Sequence, residues 1–470
     1  MSKFIAEKSF CLEELKAFAA LSGDYNPLHI DPMVARRLLY GNCVVHGIYL
    51  LLWAIDKAFD FPIRLTAVKT VFPAPLAVDG LVRLEVLDES RNHKRIRLYC
   101  GLTCVATIFL RYMDCTDLGS VPDSRPARHM PADLDLEHIK GAEGRSKFAF
   151  GRKDLESIFA NLLQILPAWQ IAVVLASTRI VGTECPGLNS LFFELDLKFD
   201  AKGQNPDQLI WKVTKLDKRW NLTTIQVDGH CISGKLKALV RPIPVLQPSM
   251  KDIAESVQPS MFSGQRALVI GGSRGLGEVC LKILAAGGAE VKFSYYRGEK
   301  EAQDLVAEIR AAGGVADAVC IDVVGPVEKM SVICAEDWSP THVYYFATPH
   351  IAVGKKGRFQ EDVFHNFCRY YVDGFAKIMS VILDSTEGAV FALFPSSIFL
   401  DELPETMGEY IAAKSAGEAF AKFLEIETPR LHVSIVRYPR LASDQTQTVH
   451  NIQTEDATAH LLKSIRCLGK

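Results

Sequence analysis

The chain has 470 residues, more than one hydrophobic core usually serves, so two or three domains are expected. With 49% apolar and 23% charged residues it is a globular composition, and a net charge of -2 argues against a nucleic-acid binder. No apolar run reaches the length of a membrane helix, and the start MSKFIAEKSF lacks the apolar core of a signal peptide. The twelve cysteines fall into no CxxC or metal-like spacing, so reduced thiols in a cytoplasmic protein without a metal centre are expected.

Two polar stretches rich in Pro, Gly and Ser, residues 117–146 and 242–264, read as linkers between three blocks. The first block opens with a strand-like KFIAEKSF and a helix near Leu12–Leu21. A dense polar stretch, SGDYNPLHID (22–31), comes next. VVHGIYLLLWAIDKAF (44–59) is apolar nearly all round, which predicts a helix buried on most faces. The runs LTAVKTVF, GLVRLEVLDE and KRIRLYCGLTCVATIFLRYM then read as strands, so a sheet wrapped around a helix is expected. The middle block repeats this order with the helix LESIFANLLQILPAWQIAVVLASTRIV (155–181) and four strand-like runs. It has no counterpart of SGDYNPLHID. The third block alternates strand and helix from RALVI to LHVSIVRYP, the pattern of a doubly wound parallel sheet.

That block begins with RALVIGGSRGLGE, a strand, a glycine turn and a helix start. Gly271, Gly275 and Gly277 allow a tight turn and let a pyrophosphate reach the N–H groups at the helix N-terminus, with Ser273 and Leu276 completing the turn. NAD enzymes often carry an acid about 20 residues further on. Here Arg297 stands at that distance from Gly277, and Arg274 lies inside the turn. Two arginines suit a 2′-phosphate, so NADPH is the expected cofactor. Asp322, at the end of ADAVCID, is a further cofactor candidate. Tyr410 and Lys414 are four apart on one helix face, thirteen residues after Ser397 at a strand end.

The glycine turn and the Ser–Tyr–Lys set resemble the short-chain dehydrogenase/reductase family over residues 264–470. The resemblance implies that Lys414 stabilises the tyrosinate and holds the nicotinamide ribose, that Tyr410 donates the proton, and that Ser397 binds the carbonyl oxygen, with Ser396 as its understudy. The chain departs from the family at Ile270 for a threonine, Tyr345–Thr348 for NNAG, Tyr371 for the relay asparagine, and Arg440 for a glycine.

SGDYNPLHID, followed by HGIYLLL, resembles the MaoC-like, R-specific enoyl-thioester hydratases over about residues 1–115. The resemblance implies a hot-dog fold. Asp24 and His29 would hold one water, Gly47 at the start of the buried helix would admit the thioester oxygen to backbone N–H groups, and Asn26 would support the substrate turn. Asp31 reads as structural. The organisation expected is therefore multi-domain: an α+β hot-dog, doubled by a second, non-catalytic one, then an α/β Rossmann-like parallel sheet. The limits are 1–116, 147–241 and 264–470.

Together the resemblances imply a bifunctional enzyme taking 3-oxoacyl to 3-hydroxyacyl to trans-2-enoyl thioesters, in the order dehydratase then ketoreductase found in polyketide synthase modules. Its substrate would be a thioester of coenzyme A or acyl carrier protein, with the basic run RNHKRIRLYC a candidate for contact with the carrier. A homo-oligomer without membrane or nucleic-acid partners is expected. Two alternatives stay open: an NADPH-dependent reductase of an unrelated carbonyl compound, and a non-catalytic acyl-binding partner of a synthase.

Overall fold

The computed structural model describes residues 3–119, 123–200, 207–334, 338–351, 358–448 and 452–468. The chain divides into two compact units near residue 243. Among the described residues no helix is long and apolar enough to cross a membrane.

Among the described residues of the first unit one antiparallel sheet contains ten strands: β1 (Lys3–Ser9), β2 (Ile63–Val71), β3 (Leu81–Glu89), β4 (His93–Cys100), β5 (Thr103–Asp114), β6 (Glu143–Lys147), β7 (Ser190–Phe199), β8 (Gln208–Asp217), β9 (Leu222–Gly229) and β10 (Ile232–Val240). Their order is β1-β3-β4-β5-β2-β7-β10-β9-β8-β6, so the second five repeat the arrangement of the first in mirror sequence. The halves join where β2 pairs with β7, from Ala67↔Lys198 to Val71↔Glu194. A helix fills each half. Gly47–Ala58 buries every side chain from Ile48 to Asp56, and Ala168–Arg179 is buried throughout. Helices without a polar face can only sit in an interior. The strands answer with period-two alternation, as in β3, where Val82, Leu84 and Val86 turn inward. One hydrophobic core takes in both helices and strands from both halves. This is a double hot-dog.

Three details differ from the sequence reading. The apolar run 94–113 is a hairpin, β4 and β5, that turns at Gly101 with φ +56°. The helix expected over 155–181 is broken at Pro167, which has no N–H to give a preceding turn and instead caps Ala168–Arg179. Short helices, Arg152–Ile158 and Leu162–Ile165, precede it, and a π-helical turn, Ile180–Glu184, extends it. Finally, β6 overlaps the end of the stretch read as a linker and takes the place in its half that β1 takes in the first. Its sequence EGRSK has no apolar alternation, so no pattern marks it. Gly144 lets it lie flat on the Trp211 ring, which a Cβ would approach to 2.7 Å.

The second unit is a parallel sheet of β11 (Arg266–Ile270), β12 (Glu290–Tyr295), β13 (Val315–Cys320), β14 (His342–Tyr345), β15 (Val390–Ser397) and β16 (Leu431–Tyr438), in the order β13-β12-β11-β14-β15-β16. The order reverses between β11 and β14. Ligands of open α/β sheets bind at that point, outside the carboxyl ends of the strands. The glycine turn follows β11, and the helix Gly408–Glu427, which carries Tyr410 and Lys414, links β15 to β16.

Candidate active sites

In the first unit the polar stretch folds as two short turns after the helix Leu12–Ser22. Asn26 caps Pro27–Ile30 by accepting from the Leu28 N–H at 3.1 Å, and Asp31 caps Pro32–Ala35. Asp24 and His29 thereby meet at the wall of a cavity of about 150 Å³. Gly47 and Thr178 also line it, and Leu50, Phe72, Leu76, Leu191 and Phe192 make it apolar. Side-chain atoms of Asp24, His29 and His46 lie within 4.8 Å of one another. One water bridges groups up to about 5.6 Å apart, twice a usual hydrogen-bond length.

His29 Nδ1 donates to the Val44 carbonyl at 2.7 Å, which leaves Nε2 as the nitrogen free to take up and return a proton. Its ring stacks on His46 at 3.7 Å, and His46 donates through Nε2 to the Asp24 carbonyl at 3.2 Å. Burial raises the Asp24 carboxyl, opposed by the His29 charge and by hydrogen bonds from Thr178 and Asn26. Burial lowers His29, opposed chiefly by Asp24, and lowers His46 further. Both partners are thus biased toward their uncharged forms. Gly47 opens its helix, so its N–H has no carbonyl within that helix to bind. A Cβ there would meet the Phe72 ring at 2.8 Å, so only glycine fits.

Asn26 braces the turn: its amide donates to the carbonyls of Gly182, Gly187 and Leu188 at 3.1 to 3.3 Å and ties the turn to the second half. In the basic run around β4, Lys94 and His93 are answered locally. Lys94 is buried and pairs with Glu89 and the Ala58 carbonyl, and His93 pairs with Asp88. The residues that sequence reasoning missed are Thr178, whose Oγ1 donates to Asp24 Oδ2 at 2.6 Å, and Gly182, where a Cβ would stand 2.1 Å from Asp24 Oδ1. Nothing in their local sequence marks them.

In the second unit the glycine turn closes on itself. A Cβ on Gly277 would come within 2.2 Å of the Gly271 carbonyl, and Gly271 and Gly275 have φ of +77° and +60°. Ser273 is buried in the turn and Leu276 packs on the core. Arg274 pairs with Asp444 at 2.6 Å, while Arg297 is exposed, its guanidinium 5.5 Å from the Tyr296 ring centre. Asp322 caps its own turn, accepting from the Val324 N–H at 3.0 Å. A turn that only glycine can make, ahead of a twelve-residue helix, fits a dinucleotide phosphate.

Tyr410 and Ser397 share a hydrogen bond, and burial lifts the phenol to about 12. Ser396 points to the other face of the strand, away from Tyr410. Lys414 is buried, donates to the Pro395 carbonyl at 2.6 Å, and is pushed down to about 7 by desolvation, opposed by Glu418. Tyr371, where the family's asparagine would stand, sits on a π-helical turn, Arg369–Gly374. The Lys414 ammonium lies 4.0 Å from its ring centre, and its hydroxyl meets Thr348 Oγ1 at 2.6 Å. The departures at Tyr371 and Thr348 therefore form one contact beside the lysine.

The first unit has the form of a hot-dog hydratase-type domain and the second that of a Rossmann-like nucleotide-binding domain. Residues 3–98 match the MaoC like domain family, and residues 265–455 match the short chain dehydrogenase family. The chain carries a MaoC-like domain followed by a short-chain dehydrogenase domain. The first region is similar to an (R)-specific enoyl-CoA hydratase of Aeromonas caviae, 49% identical over 9% of this chain and 32% of that protein. It is also similar to a mitochondrial 3-hydroxyacyl-acyl-carrier-protein dehydratase of Arabidopsis thaliana, 49% identical over 18% of this chain and 54% of that one. An L-rhamnose 1-dehydrogenase (NADP(+)) of Thermoplasma acidophilum is 33% identical over 26% of this chain and 45% of its own length. The chain thus spans between about a third and about half of these relatives.

Proposed function

We propose that the chain is a bifunctional enzyme that reduces 3-oxoacyl thioesters with NADPH and interconverts the 3-hydroxyacyl products with trans-2-enoyl thioesters. Residues 1–116 would hold the hydratase motif, 147–241 together with β6 ahead of it the half without one, and 264–470 the reductase. The observation that carries this reading is the presence, on one chain, of an acid–histidine pair at an apolar cavity and a Ser–Tyr–Lys set beside a glycine turn. Both chemistries act on the same three carbons of an acyl thioester, and neither alone explains the other.

In the elimination direction, neutral His29 takes the C2 proton through Nε2, and the Gly47 N–H receives the charge that develops on the thioester oxygen. Asp24, whose proton burial favours, gives it to the departing C3 hydroxyl, and water leaves. Hydration runs the same transfers backwards. In the reductase, bound NADPH supplies the hydride. Ser397 holds the carbonyl oxygen, Tyr410 protonates it, and the Lys414 charge lowers the cost of the tyrosinate that results. Relatives named for coenzyme A and for a carrier protein support a thioester carried by either. The test is incubation with 3-oxobutyryl-coenzyme A and NADPH. NADPH absorbance should fall and mass spectrometry should find 3-hydroxybutyryl and crotonyl species; NADPH binding without turnover would remove the reading.

Two further outcomes are expected. Arg297→Asp should raise the KM for NADPH at least about tenfold and shift preference toward NADH, because repulsion replaces attraction at the 2′-phosphate. Steady-state kinetics with both cofactors decide it. Reductase kcat/KM should decline as pH rises through about 7, where Lys414 loses its charge. Glu418 raises that value, so Glu418→Gln should move the decline to lower pH.

A further inference from the structure

The second half of the double hot-dog lacks the acid–histidine motif, yet it supplies the contacts that hold Asp24. Thr178, on the helix Ala168–Arg179, donates from Oγ1 to Asp24 Oδ2 at 2.6 Å, and both residues are buried. Gly182, on the π-helical turn that extends that helix, leaves room for the other carboxylate oxygen, which a Cβ would approach to 2.1 Å. The same turn binds Asn26 through the Gly182 carbonyl, and Thr183 Oγ1 donates to the Gly23 carbonyl at 3.2 Å. These bonds cross 154 to 160 residues of chain and converge on one side chain and its flanking backbone.

We propose that Thr178 is a positioning residue for Asp24: its hydroxyl fixes the carboxylate rotamer at the cavity and stabilises the ionised form, so the half without a motif is a working part of the hydratase site. The inference rests on the hydratase reading above. A hydroxyl donates more strongly to a carboxylate than to the carbonyl oxygen of a protonated acid, so the bond favours the ionised form. Inside a low-dielectric cavity a hydrogen bond to a charged group is worth more than one in water. Burial already pushes Asp24 toward its acid form, and Thr178 is one of the groups opposing this. Leu50 and Leu52 of the first central helix are apolar and buried, and the hydroxyl bonded to the Asp24 carboxyl comes from across the core.

The experiment uses the full chain as Thr178→Val, which keeps the shape and removes the hydroxyl, and as Thr178→Ser, which keeps the hydroxyl. Hydration of crotonyl-coenzyme A is followed over pH, with the reductase rate as a control on folding. Hydration needs ionised Asp24 to take the proton of water. The acid limb of kcat/KM should therefore move up by about one to two pH units in Thr178→Val, the size of a hydrogen bond to a charged group. At pH values below the limb the rate should fall about tenfold or more, and Thr178→Ser should recover most of it. An unmoved limb in Thr178→Val, or equal losses in both variants, would overturn the proposal. A second readout does not depend on turnover. The Asp24 carboxyl band, isolated by infrared difference against Asp24→Asn, should titrate at higher pH in the Thr178→Val background. An unshifted band rejects the inference even if the wild type hydrates no thioester, an outcome that would instead reject the hydratase reading.

Discussion

Tyr410→Phe is expected to lower 3-oxoacyl reduction by about a hundredfold or more, the usual contribution of a positioned proton donor, and to leave enoyl hydration at the wild-type rate. Phe keeps the ring that packs edge-on against Phe367 and Tyr371 at 5.6 and 5.8 Å, so the hydrophobic packing survives and only the hydroxyl shared with Ser397 is lost. NADPH binding, read by fluorescence, should persist, because the glycine turn is untouched. The two sites stand on separate compact units, so loss of both activities in a well-folded variant would sink the two-site reading.

Asp24→Asn and His29→Ala should each remove most of the dehydratase activity, and the double variant should be little worse than either, because both losses disable the same proton transfers. Supplied with 3-oxoacyl thioester and NADPH, the double variant should accumulate 3-hydroxyacyl thioester, where the wild type reaches a fixed ratio of hydroxy and enoyl species. If the double variant reaches that ratio at the wild-type rate, the first unit is not the dehydratase. Stability provides an independent check. Asp24 is raised above its ordinary 3.8, so its cost to folding appears as pH rises from the unfolded value to the folded one. Asp24→Asn removes that cost at neutral pH while keeping the shape, and its Tm should equal or exceed that of the wild type. His29 and His46, both lowered by burial below 6.5, act in the opposite sense: the unfolded chain binds protons first, so acid below about 6.5 should destabilise the first unit.

Local spacing was enough to read both motifs and most of the elements. The glycine turn, Tyr410 with Lys414 one turn apart, and Asp24 with His29 across a Pro-containing turn each lie within about a dozen residues, where backbone geometry alone brings side chains together. The two all-apolar helices and the alternating strands were legible for the same reason, because burial imposes a period on the sequence. What lacked a period was invisible. β6 has no apolar alternation, since an edge strand pairs through its backbone, and it appeared only when paired with β8. Pro167 was present in the sequence but outweighed by the apolar run around it. The contact of the second half with Asp24 came to light only in the tertiary structure. Thr178 lies 154 residues from Asp24, on a helix whose composition says no more than that it is buried. The β2–β7 pairing and the shared core bring that helix to the turn that carries Asp24 and His29, and contacts made across a core leave no spacing in the chain to read.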